Sequence, residues 1–100
     1  MSAAAATLAQ AKALIATPDR WNQGSAIDYY RRARCATRAI QDTGVPYHHR
    51  LDALAYLGEA LEIDPSRIAP WNDERERSHA DVLEAFDRAI QLANEQESLA

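Results

Sequence analysis

Residues 78–95, SHADVLEAFDRAIQLANE, decide the fold class. Val82, Leu83, Phe86, Ala89, Ile90 and Ala93 recur at helical spacing and gather on one face, the cleanest amphipathic pattern in the chain. Ser78 stands where a helix N-cap belongs, and Asp81 follows three residues later as a shorter form of the capping box. The pattern predicts a helix over 79–95, with residues 96–100 fraying.

Moving towards the N-terminus, residues 64–77 read as a connection with a short helical turn at 65–69, then Trp71-Asn72-Asp73 and the charged run ERER. Residues 47–62 read as a helix whose apolar stripe is Tyr47, Leu51, Leu54, Leu57 or Gly58, and Leu61, with Asp64-Pro65 as its stop. Gly58 interrupts that helix at a cost of about 1 kcal/mol against alanine, which a close helix crossing would explain. Residues 26–43 read as another helix, with Tyr29, Tyr30, Ala33, Ala36, Thr37 and Ile40 on one face and Gly44 as its end. Residues 18–25, PDRWNQGS, form a loop around Trp21. Residues 3–16 are Ala-rich, carry Leu8, Ala11, Leu14 and Ile15 at helical spacing, and stop at Thr17-Pro18. The expectation is an all-α chain: one domain over residues 1–100, a compact bundle of about four helices with two Trp-anchored connecting loops.

Composition narrows the function. The 100 residues are 47% hydrophobic and 26% charged, in the globular range. Cys35 is the one cysteine, which excludes an intramolecular disulfide framework. The N-terminal stretch lacks the basic start and long apolar run of a signal peptide, and no stretch approaches the ~20 apolar residues of a membrane span. The expected location is the cytoplasm. Net charge is −4, unevenly spread. Residues 19–50 hold six arginines against three aspartates, whereas residues 51–100 hold four arginines against twelve acids. A chain-wide nucleic-acid surface is disfavoured by that balance, although a local basic patch is not.

Five groupings invite a chemical reading. Trp21, Gln23, Trp71, Asn72 and Asp73 form a candidate ligand- or partner-binding set; the competing reading is that each Trp anchors its loop and the polar residues bond backbone. Arg31, Arg34 and Arg38, with Arg32 and the two tyrosines nearby, form a candidate basic face; the competing reading is a solvated face paired with Asp28 and Asp42. Cys35 falls on that Arg face, where its thiol pKa would drop, but no base lies near it in sequence, and packing is the commoner role. His48 and His49 point apart on a helix, and no metal-ligand motif accompanies them or His79. The acids around residues 73–87 suit the start of a helix. No catalytic residues, metal or cofactor are expected. The expected partner is a protein, with nucleic acid a lesser alternative, no membrane, and self-association through the Ala-rich first helix as a further option.

Taken in order, Trp21-Asn22-Gln23-Gly24, Cys35, Trp71-Asn72-Asp73 and the capped Ser78-to-Leu83 stretch resemble a family of small domains of unknown function found in actinobacteria and their phages. The resemblance covers roughly residues 8–93, and departs from the family pattern at Arg38, where a small residue is usual. It implies a shared architecture of two Trp loops and Cys35, an actinobacterial or phage source, and no known activity. The function expected is a small non-enzymatic interaction or regulatory module; the alternative is a ligand-binding or enzymatic domain with a pocket between the Trp loops.

Overall fold

A computed structural model describes residues 2–98. The chain is mainly helical but not all-α: five α-helices are joined by a two-stranded antiparallel sheet among the described residues. The elements are α1 (Ala3–Leu14), β1 (Ile27–Asp28), β2 (Ala33–Arg34), α2 (Ala36–Gln41), α3 (Tyr47–Leu61), α4 (Ile68–Asp73) and α5 (His79–Ser98). Single 3-10 turns at Pro18–Arg20 and Pro65–Arg67 follow α1 and precede α4.

The apolar stripe of α5 buries Val82, Ala85, Phe86, Ala89 and Ala93. Ser78 and Asp81 exchange hydrogen bonds at its start: Ser78 Oγ accepts from the Asp81 amide at 3.0 Å, and Asp81 Oδ2 accepts from the Ser78 amide at 3.0 Å. The helix continues to Ser98, beyond the end expected at residue 95; of the expected frayed tail, residues 99–100 lie outside the described residues. α1 packs on α5, α3 and α2, burying Ala4, Ala5, Leu8 and Ala11. Its alanines thus allow close helix approach inside the fold. The Ser2 amide donates to Asn94 Oδ1 at 3.1 Å, tying the start of α1 to the far end of α5. Phe86, Leu8, Ile15, Ile40, Leu57, Ile68 and Val82 fill the centre.

The long helix expected over residues 26–43 is corrected. Only Ala36–Gln41 is helical, and residues 27–34 form a hairpin with Ile27 opposite Arg34 and Asp28 opposite Ala33. Asp28 Oδ1 captures the amides of Tyr30 at 3.0 Å and Arg31 at 3.3 Å, so a side chain takes donors that a helix would need. Arg32 adopts φ 54°, a left-handed conformation that ends any helical path. Neighbouring strands of backbone complete the change: the Asn22 amide donates to the Arg34 carbonyl at 3.0 Å, and the Cys35 amide to the Ala26 carbonyl at 2.9 Å.

A second correction concerns α3. Tyr47 and Leu51, expected in its buried stripe, are exposed; Leu57 and Gly58 face inward as expected, and Ala53 joins them. Gly58 faces the chain that leaves its own helix, rather than a helix crossing: a Cβ there would stand 2.8 Å from the Ile63 carbonyl oxygen. The Ile63 amide donates to the Gly58 carbonyl at 3.0 Å and the Glu62 amide to the Glu59 carbonyl at 3.1 Å, a Schellman ending. Glu62 occupies its left-handed position at φ 58°. Glu62→Gly is expected to raise stability by about 0.5–1 kcal/mol, read as a higher thermal midpoint, because glycine carries no Cβ penalty there.

The expected Trp71 loop is also helical: Trp71, Asn72 and Asp73 close the short α4.

Candidate functional site

Asn72 sits at the end of α4 with no exposed surface. Its Oδ1 accepts from the Trp21 indole N–H at 2.7 Å and from the Ala36 amide at 3.1 Å. Its Nδ2 donates to the Asn22 carbonyl at 2.9 Å and to Asp73 Oδ1 at 3.0 Å. All four hydrogen-bonding positions of the amide are used. The other loop reaches back. Gln23 Nε2 donates to the carbonyls of Asn72 at 3.0 Å and Glu74 at 2.9 Å, and the Gly24 amide donates to Asp73 Oδ1 at 3.0 Å. Gly24 has φ 87°, a left-handed geometry that glycine adopts freely.

Four of the five candidate residues, Trp21, Gln23, Asn72 and Asp73, are therefore brought together, and their polar atoms bond one another and the backbone. The ground between the two loops is taken by these bonds. Trp71 is turned elsewhere. Its ring lies under the Arg77 guanidinium at 4.2 Å and borders a cleft with Leu61, Asp81, Glu84 and Arg88.

Two further residues join this clasp, neither of them in the candidate binding set. Asn22, nearly buried, donates to Ser25 and accepts from Arg31 at 3.1 Å. His79 meets the Ile15 carbonyl through Nε2 at 2.7 Å, and its ring lies 6.0 Å from that of Trp21. The Trp21-Asn22-Gln23-Gly24 motif carried the signal for the first; nothing local marked the second.

The basic face is split by the hairpin. Arg31 pairs with Asp28 at 3.0 Å beside the turn. Arg34 and Arg38 converge on one carboxylate: Arg34 Nε reaches Asp42 Oδ2 at 2.7 Å and Arg38 Nε reaches it at 2.9 Å. Burial pushes the Asp42 carboxyl up, but the two guanidinium hydrogen bonds outweigh it and hold its pKa below the usual value. Asp42 in turn raises the pKa of Arg38. Asp28 is held low by the Arg31 side chain and then by the Arg31 amide. Arg34, Arg38 and Asp42, with Ile27, Tyr29 and Arg32, line a cleft of about 410 Å³.

At the hairpin tip the two tyrosines stand in solvent, Tyr29 76% and Tyr30 102% exposed. Cys35 has the packing role that its sequence context favours, but its placement is corrected: it is not on an Arg-bearing helix face but buried at the N-cap of α2, its Sγ accepting from the Arg38 amide at 3.4 Å. Burial raises its thiol pKa, opposite to the direction anticipated. His48 and His49 lie with ring centroids 4.0 Å apart at the start of α3. Among the described residues no three His, Cys, Asp or Glu side chains group as metal ligands. No helix among them is long and apolar enough to cross a membrane.

The model of a family of unknown function, DUF6197, matches residues 1–92, and the chain belongs to that family. No curated protein and no solved structure matches the chain.

Proposed function

We propose that this member of a family of unknown function is a small non-enzymatic protein-interaction or regulatory module, and that the tip of the β1–β2 hairpin is its contact surface. The carrying observation is the exposure of Tyr29 and Tyr30 beside Arg31 and Arg32. Two tyrosines in water contribute nothing to a core, whereas Tyr and Arg dominate the energetic centres of protein interfaces. The tip is also held in one shape before any partner arrives. Asp28 fixes the turn through two backbone amides and the Arg31 side chain, so little ordering entropy remains to be lost on binding. The positive charge of the tip, within an acidic chain, favours a partner with an acidic surface. For a cytoplasmic protein of the actinobacterial or phage source that the resemblance implies, we take this partner to be a host protein.

The test is quantitative capture from such a lysate with the wild-type chain and with Tyr29→Ser/Tyr30→Ser. The double variant should keep its stability within about 0.5 kcal/mol, since both side chains are exposed. It should lose the captured partner by about tenfold or more, as expected for interface hot spots. A partner retained equally by both chains, or no specific partner for the wild type, overturns the reading. The clasp of Gln23, Asn72 and Asp73 spends its polar atoms internally, and no observation favours a ligand between the Trp loops.

A further inference from the structure

We infer that the cleft at the base of the hairpin is a phosphate-monoester site, formed by Arg32, Arg34 and Arg38 around Asp42 and flanked by Tyr29, and that it takes a phosphorylated side chain of the partner. The first support is charge. Three guanidinium groups and one carboxylate line the cleft, leaving a net charge of +2. A phosphate monoester carries about −1.5 to −2 at neutral pH and balances that charge, whereas a carboxylate leaves it half neutralised.

The second support is geometry. Asp42 engages Arg34 and Arg38 through their Nε atoms. This holds two otherwise flexible side chains beside each other, 21% and 33% exposed, before any ligand binds. Their terminal nitrogens make a marginal 3.5 Å bond from Arg34 Nη1 to the Arg32 carbonyl and a contact of Arg38 with the Tyr29 hydroxyl, and are otherwise uncommitted among the described residues. Those outer N–H groups form the fork that matches phosphate oxygens.

The third support is Arg32 itself. It joins no ion pair among the described residues and sits exposed at φ 54°, where glycine or asparagine would be less strained. A strained, exposed arginine on the rim of a basic cleft adds nothing to folding and adds one more charge to the cleft. Tyr29 and Ile27 supply a partly apolar wall against which the stem of a phosphorylated side chain can lie.

The site adjoins the hairpin tip, so as a device for partner recognition it rests on the proposed interaction role. Small phosphate probes report on the cleft without any partner and keep the two failures apart. The full chain, isotope-labelled, is titrated at constant ionic strength with inorganic phosphate, O-phosphoserine, phenyl phosphate and acetate. The expected result is saturable NMR shifts of the Arg34 and Arg38 Nε–H signals and of the amides of residues 32–38, with the esters binding at a Kd on the order of 1 mM and acetate about tenfold more weakly. Arg32→Asn, which keeps the left-handed turn and breaks no ion pair, and Arg38→Gln should each weaken the esters by about threefold or more. The amide spectrum of Arg32→Asn reports directly that its fold is intact. Linear shifts without saturation, equal binding of acetate, or ester affinities unchanged in Arg32→Asn overturn the site. Inorganic phosphate binding more tightly than both esters assigns the cleft to the free anion and overturns its role in reading a phosphorylated partner.

Discussion

Asn72→Ala is expected to lower stability by about 3–5 kcal/mol, the largest effect of any polar substitution in this chain. Alanine leaves the Trp21 indole N–H, the Ala36 amide and the Asn22 carbonyl without the partners they have at 2.7, 3.1 and 2.9 Å. Each orphaned buried group costs about 1–3 kcal/mol, and partial entry of water reduces their sum. For a domain of this size the thermal midpoint should fall by more than about 12 °C. Urea unfolding of Asn72→Ala beside Trp21→Phe checks the mechanism. The Trp21 variant keeps only a smaller aromatic ring and loses one bond to Asn72, so its cost should be about 2–3 kcal/mol, below that of Asn72→Ala. A loss below about 1 kcal/mol for Asn72→Ala would mean that the clasp does not hold the fold.

Gly58→Ala is expected to cost about 2–3 kcal/mol, against the usual sign for a helix interior. In an exposed helix the change would gain about 1 kcal/mol. Here the new Cβ lies 2.8 Å from the Ile63 carbonyl oxygen, and Pro65 is at 3.3 Å on two atoms. The obstacle is backbone fixed by a proline and by the Schellman bonds, so it cannot swing aside as a long side chain would. Relief requires shifting the α3–α4 connection, at the cost typical of overpacking. Chemical denaturation gives the value, and a neutral or stabilising result would show that this connection yields freely.

The helices α1, α3 and α5 are legible in the sequence because each declares itself locally, through apolar spacing, a capping pair or a proline stop. Residues 26–35 are not. Tyr29, Tyr30 and Ala33 mimic a helical face; Asp28 defeats it locally by taking the Tyr30 and Arg31 amides, and the rest comes from afar: Trp21 and Asn22 against Arg34, and Asn72 on the Ala36 amide. Periodicity cannot register a hydrogen bond from a residue 36 positions away. The candidate residues were legible as types, since Trp-Asn and Trp-Asn-Asp motifs crowd polar atoms around aromatics. Their mutual bonding across about 50 residues was not, and neither was the turning of Trp71 to another face. Asp42 illustrates the same limit. Its spacing from Arg38 fits an ordinary helical pair, but its second arginine, Arg34, arrives from a strand.

The packing of α1 on α5, tied by Ser2 and Asn94, bears on how the protein is made. A ribosome produces α1 well before its principal partner α5. While residues 15–78 emerge, the face of Leu8 and Ala11 has only α2 and α3 to cover it, and Phe86 and Val82 are not yet present to close the centre. Long-range pairing of this kind is costly in chain entropy until both ends exist. The core around α1 therefore stays open until α5 has cleared the exit tunnel, and it closes in one late step rather than helix by helix.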